Sequence, residues 1–167
     1  MAGERAYIGL GANEGDVIAT LNAAVEALRS LQQCVFVDVS AFYRSAPIDA
    51  EGPDFTNAVV ALDTSMEPYA LLLALLDIEL RLGRKRRNAD AKTKSSRRVD
   101  LDLLLHGPLL MRSTPLTLPH PRMHERAFVL RPLLDLAPDI ELPGYGPATR
   151  LLDALLHQRI ERIDPEA

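Results

Sequence analysis

Asp100 and Asp102 stand inside the run Arg97-Arg98-Val99-Asp100-Leu101-Asp102-Leu103-Leu104-Leu105-His106. Successive side chains of a strand point to opposite faces, so the two carboxylates share one face while Val99, Leu101, Leu103 and Leu105 share the other. Two rises along a strand separate their Cα atoms by about 6–7 Å. Paired hard oxygen ligands at that spacing suit Mg²⁺, which takes one or two protein carboxylates and fills its shell with water and substrate phosphates. Taken alone, the pattern also fits an exposed edge strand. The residues before it tip the reading toward chemistry.

From Arg84 to Arg98 the chain carries Arg84, Lys85, Arg86, Arg87, Lys92, Lys94, Arg97 and Arg98, eight of its nineteen Lys and Arg, with Asp90 as the one acid. The charge is local, because the whole chain is net −4. A nucleic-acid coat is basic overall, and a single-strand RNA platform places aromatics among its cations. No aromatic occurs between Arg84 and Arg98. A short basic loop feeding an Asp-x-Asp strand suits a compact polyphosphate, the cations neutralising oxygens that the metal does not reach.

Other polar residues gain meaning from their company. Glu79 lies on or beside the apolar stripe of a helix, where it either snorkels to water or reaches a cation or ligand of another element; Arg86 falls one heptad further on. Pro119-His120-Pro121-Arg122 is followed by Arg126 and Phe128, and the two arginines share a face if the segment is locally helical. Phe55 offers an aromatic plate, and Asn57 an amide that can read a heterocycle's donor and acceptor edge. Gly9-x-Gly11-x-x-x-Gly15 looks like part of a dinucleotide fingerprint. A Rossmann unit needs a helix-crossed parallel strand next, and here two strands follow one another directly.

With 167 residues, 47% of them apolar, the chain suits one domain spanning 1–167. A single cysteine, Cys34, excludes an internal disulfide framework; no charged-then-apolar leader is apparent, so a reducing, cytoplasmic setting is expected. The longest apolar run, Leu71 to Leu76, is too short for a bilayer span of about 20 residues. The patterning predicts a strand at Ala6–Leu10, a glycine-rich turn with Asp16 capping a helix, and a strand at Val35–Tyr43. A further strand is predicted at Asn57–Asp63, then a helix from Ser65–Pro68 ended by Gly83, and a strand at Val99–Leu105. The order β-α-β-β-α-β is the ferredoxin-like arrangement, an α+β fold with an antiparallel sheet. A hairpin within Leu109–Leu118 and short helices from Pro132 and from Ala148 to His157 should follow.

These motifs, in this order, resemble the 6-hydroxymethyl-7,8-dihydropterin pyrophosphokinase family of folate biosynthesis. The resemblance runs through Tyr7-Ile8-Gly9-Leu10-Gly11-Ala12-Asn13, Phe42-Tyr43-Arg44-Ser45-Ala46-Pro47, Asp54-Phe55-Thr56-Asn57-Ala58, Ile78-Glu79-Leu80 and Arg97-Arg98-Val99-Asp100-Leu101-Asp102. It continues through Leu118-Pro119-His120-Pro121-Arg122 and Arg126-Ala127-Phe128-Val129-Leu130. It implies transfer of the β,γ-diphosphoryl group of ATP to a pterin hydroxymethyl group, with release of AMP. By the same resemblance Asp100 and Asp102 hold two Mg²⁺ ions, and Glu79, Arg86, Arg97, Thr117, His120, Arg122 and Arg126 line the nucleotide site. Arg86 and Arg97 join the two aspartates as catalytic groups. Ser45, Ala46, Ile48, Phe55, Asn57 and Phe128 form the pterin pocket, the two phenylalanines sandwiching the bicycle. The expected partners are small molecules, with no nucleic acid or membrane, acting on a monomer. The reading from another class is a ferredoxin-like module binding RNA or a regulatory small molecule, which has no use for Asp-x-Asp beside a cationic loop.

If Arg97 meets phosphate and Arg87 does not, steady-state assays will show Arg97→Ala slowing turnover far more than Arg87→Ala. Equal effects would remove Arg97 from the site.

Overall fold

A computed structural model describes residues 3–47, 52–89 and 98–164. The first strand, β1 (Glu4–Ala12), runs through Gly9 and Gly11, two of the three glycines that the sequence places in a turn. Asp16 then accepts a hydrogen bond from the Ala19 amide at 3.1 Å and caps helix α1 (Val17–Arg29). Leu21, Ala24, Val25 and Leu28 recur at helical spacing and are buried.

The strand expected over Val35–Tyr43 is two strands, β2 (Cys34–Val39) and β3 (Phe42–Ser45). Both pair antiparallel with β4 (Phe55–Thr64), which is long enough to hold β2 on Val60–Thr64 and β3 on Phe55–Asn57. Ser40 makes the break. Its amide donates to the Val59 carbonyl and its Oγ accepts from the Val59 amide, each at 2.9 Å, so one residue satisfies both backbone groups of Val59 while the chain steps between strands.

Helix α2 (Pro68–Ala89) does not stop at Gly83. A glycine inside a helix costs only about 1 kcal/mol against alanine, and the Arg and Lys that follow are good helix formers. The segment from Arg84 to Arg87 is therefore helical, and the loop is shorter than its charge run. Leu71, Leu75 and Ile78 are the buried stripe of α2, whereas Leu76 is 43% exposed.

Strand β5 (Asp100–His106) pairs with β1 and, with β10 (Ile160–Ile163) at the far edge, closes the order β10-β3-β4-β1-β5, with β2 beside β3 on the same side of β4. Counting β2 and β3 as one broken strand, the core follows the expected β-α-β-β-α-β order; β10, which the sequence reading lacked, extends the sheet by pairing with β3. The short ladder of β6 (Met111–Arg112) and β7 (Thr117–Leu118) is the expected hairpin. Helix α3 (Ala127–Leu136) begins ahead of Pro132, which sits buried inside it; β8 (Glu141–Leu142), β9 (Gly146–Pro147) and α4 (Ala148–Asp153) follow. Among the described residues no helix is long and apolar enough to cross a membrane.

Two apolar clusters occupy the two faces of the sheet. Ile8, Leu10, Leu62, Leu101 and Leu103 face α1 and α2; Tyr7, Val59, Ala61, Leu104 and Leu105 face α3. The register of β5 slips at a bulge, Leu103 pairing with Ile8 and Leu105 with Tyr7. Leu104 is the extra residue, so Leu105 lies on the face opposite to Leu103, not with it as strict alternation requires. The Tyr43 hydroxyl donates to Asp135 at 2.7 Å and ties α3 to β3.

Ser40→Ala leaves the Val59 amide without its acceptor, and urea unfolding should report a loss of about 1–3 kcal/mol.

Candidate active site

Asp100 pairs with Gly11 and Asp102 with Gly9 across β5 and β1; Gly11 and Gly9 pair in turn with Asn57 and Val59 of β4. These six residues form two rows on the α3 face of the sheet, and the middle of each row has no side chain. A Cβ on Gly11 would stand 3.2 Å from the Asn57 Oδ1, so the amide leans over the gap left by the glycine. A cavity of about 600 Å³ opens above these rows. It is lined by Gly9, Gly11, Ser45, Ala46, Pro47, Phe55, Asn57, Asp100, Asp102, Arg122, Glu125, Arg126 and Phe128, with Leu10, Ala58, Val59 and Val129 completing it. The volume is that of a small-molecule site.

One wall is apolar and amide-bearing. Phe55 stands opposite Ser45 in the β3–β4 register, and the buried Asn57 Nδ2 donates to the Ser45 Oγ at 2.8 Å, which fixes the amide's orientation. Phe128, in the first turn of α3, supplies a second ring, and the Arg126 guanidinium lies 5.5 Å from its centroid.

The other wall is charged. Burial pushes the Asp100 carboxyl above its ordinary range, Arg98 pulls it back, and the Asp102 charge raises it again. Glu79 reaches the outer edge of β5, where its Oε2 accepts from the Leu101 amide at 2.6 Å. The sequence offered water, or a cation or ligand of another element; the partner found is a backbone amide of another element. Burial raises its pKa most, the Leu101 bond lowers it, and Asp100 and Asp102 raise it further. The His120 amide donates to the Leu104 carbonyl at 2.9 Å further along the same edge, so backbone groups at both points find partners. The ring's Nδ1 accepts from the Arg122 amide at 3.1 Å. Desolvation lowers the His120 pKa, against the pull of Asp102 and together with the push of Arg126 and Arg122. Arg126 is itself lowered, chiefly by burial and then by Arg122. Arg122 is held by Glu125 at 3.1 Å.

Of the residues singled out from sequence, Ser45, Ala46, Phe55, Asn57, Asp100, Asp102, Arg122, Arg126 and Phe128 come together in the cavity. Glu79, Thr117 and His120 are not in its lining: Glu79 and His120 flank the aspartates from the β5 edge, and Thr117 lies in β7. The backbone puts Arg86 in α2; Ile48 and Arg97 lie outside the described residues. Gly9, Gly11 and Glu125 were missed as site residues. The signal for the glycines was available, since they alternate along an otherwise apolar strand. Glu125 was marked only by its spacing of three from Arg122.

Residues 7–138 match the family model described as 7,8-dihydro-6-hydroxymethylpterin-pyrophosphokinase. The chain belongs to this family. It is 42% identical over 161 residues to the 2-amino-4-hydroxy-6-hydroxymethyldihydropteridine pyrophosphokinase of Pseudomonas aeruginosa, covering 96% of this chain and 97% of that protein. A protein of the same description from Methylorubrum extorquens is also 42% identical over 161 residues, covering 96% and 99%. Among solved structures, an HPPK-DHPS in complex with substrates aligns with a TM-score of 0.73 at 11% identity, over 94% of this chain; the chain spans 44% of that longer protein, and the likeness shows the fold. As a pyrophosphokinase of this family, the chain is an ATP-dependent diphosphokinase of folate biosynthesis.

A carboxyl whose pKa is raised on folding contributes stability that is present below the ordinary carboxylate range and is lost as pH rises through its folded value. In metal-free protein, Asp100→Asn should therefore melt higher than the parent near neutral pH. Melts in chelator should show the gap closing on acidification, and a gap independent of pH would refute the assigned strain on Asp100.

Proposed function

We propose that the cavity holds 6-hydroxymethyl-7,8-dihydropterin between Phe55 and Phe128, with the triphosphate of ATP laid between Asp100–Asp102 and the Arg122–Arg126 wall. The observation that carries this reading is the convergence, in one cavity, of an oriented amide beside aromatic rings and of paired carboxylates facing arginines. Asn57, its Nδ2 engaged by Ser45, keeps its Oδ1 as an acceptor for a ring donor. The pterin hydroxyl then attacks the β-phosphorus and gives up its proton to solvent, the bond from that phosphorus to the bridging oxygen of AMP breaks, and AMP leaves.

The donor set fits Mg²⁺. Two carboxylates on one strand face, one of them strained by burial and then by its neighbour's charge, suit a dication that completes its shell with water and phosphate oxygens. Among the described residues no group of three or more His, Cys, Asp or Glu forms a cage of the kind a metal bound by protein alone requires. We assign two such ions to Asp100 and Asp102, where their charge would neutralise phosphate oxygens and favour in-line attack.

The remaining work falls to side chains. Arg126 and Arg122 neutralise equatorial oxygens, with Arg86 and Arg97 adding charge from the basic segment. Desolvation favours the neutral His120 ring, and its Nδ1 accepts from the Arg122 amide, so the hydrogen of the neutral ring sits on Nε2 and can be donated to an anionic oxygen. Glu79 holds the edge of β5 and thereby the spacing of the two aspartates. Thr117 contributes to the nucleotide side, and Ala46 and Ile48 to the pterin side. The chain acts as a single domain over 1–167, a cytosolic monomer on small molecules without nucleic acid.

The test is AMP release from ATP, Mg²⁺ and the hydroxymethyl-dihydropterin. Asp102→Ala should keep its fold by circular dichroism and lose most turnover, about 10³-fold or more. Absence of AMP with well-folded parent protein would overturn the reading.

A further inference from the structure

Residue 126 sits at a break in the chain, after a 3₁₀ turn at Met123–Glu125 and before α3, with φ −125° and ψ 108°. Side-chain direction there depends on the two peptide planes that flank it. All four of their polar groups are bonded. The Arg126 amide donates to Met123 at 3.2 Å, and the Arg126 carbonyl accepts from Val129 and Leu130 at 3.0 and 3.1 Å. The other two groups go to one side chain: the Gln158 Nε2 donates to the Glu125 carbonyl at 2.8 Å, and the Gln158 Oε1 accepts from the Ala127 amide at 2.8 Å. Gln158 thus grips one group on each plane.

A glutamine side chain carries a donor and an acceptor side by side at that reach. Gln158 is held in turn, its backbone N–H donating to the Leu155 carbonyl at 2.9 Å just ahead of β10, which pairs with β3 behind the Ser45 wall. It lies beyond residue 138, where the family match ends, and outside the lining of the main cavity.

We propose that Gln158 is a positioning residue for catalysis, fixing the backbone of Arg126 so that its guanidinium faces the phosphates of ATP. The inference rests on the assignment of Arg126 to ATP, and the test separates the two. Kinetic constants for ATP are measured for the parent, Gln158→Met, Arg126→Ala and the double variant, with thermal melts of each. Gln158→Met should lower kcat/KM for ATP roughly tenfold, the size expected from losing two hydrogen bonds. In the Arg126→Ala background the same change should have an effect of less than about twofold, because its target is gone. An undiminished effect in that background overturns the positioning role while leaving Arg126 at the phosphates. Arg126→Ala with parental kinetics overturns both. Should Gln158→Met fail to fold, Gln158→Glu, which retains the acceptor for Ala127 and loses the donor for Glu125, carries the same comparison.

Discussion

Because side chains alternate along a strand, β1 can hold Ile8, Leu10 and Ala12 against two helices only by turning residues 7, 9 and 11 to the other face. Two of those three are glycines, lying between the aspartates on one side and Asn57 and Val59 on the other. Larger residues there would fill the floor of the cavity. The same strand is therefore core on one side and open ground on the other, and every polar group of the site is arranged around that emptiness.

The charged side of the site is a compromise between folding and chemistry. Burial raises the proton affinity of Glu79 and Asp100, and the nearby carboxylate charges, Asp100 and Asp102 on Glu79 and Asp102 on Asp100, raise it further, an arrangement that costs stability unless a cation is supplied. Glu79 recovers part of that cost through its bond to the edge amide of Leu101, which also keeps an edge strand from presenting a free donor. Burial of Arg126 works in the opposite sense, holding a cation in a place that favours it less than water does. Both walls are thus primed for a ligand that brings charge of both signs.

Much of this was legible in the sequence because alternation and helical periodicity are local. The Asp-x-Asp strand, the Asp16 cap, the core strand order and the gathering of Phe55, Asn57, Arg126 and Phe128 all follow from residues a few places apart or from ordered motifs. What was not legible depends on contacts between distant segments. Ser40 breaks a strand because Val59, nineteen positions on, offers it both backbone groups. Gly83 fails to end α2 because its neighbours outweigh it, and β10 has too few residues to announce itself without β3. Gly9 and Gly11 read as a turn for a related reason: a glycine's meaning in a strand is set by what stands across from it.

The bulge at Leu104 divides β5 into an end that alternates for chemistry and an end that packs two consecutive leucines, Leu104 and Leu105, beneath α3. Such a strand counts residues. Loss or gain of one position between Asp102 and His106 would rotate either the leucines or the aspartates onto the wrong face, although each side chain on its own tolerates a similar replacement. The intolerance of this molecule is to changes in length within β5, and freedom to vary in length is left to the connections outside it.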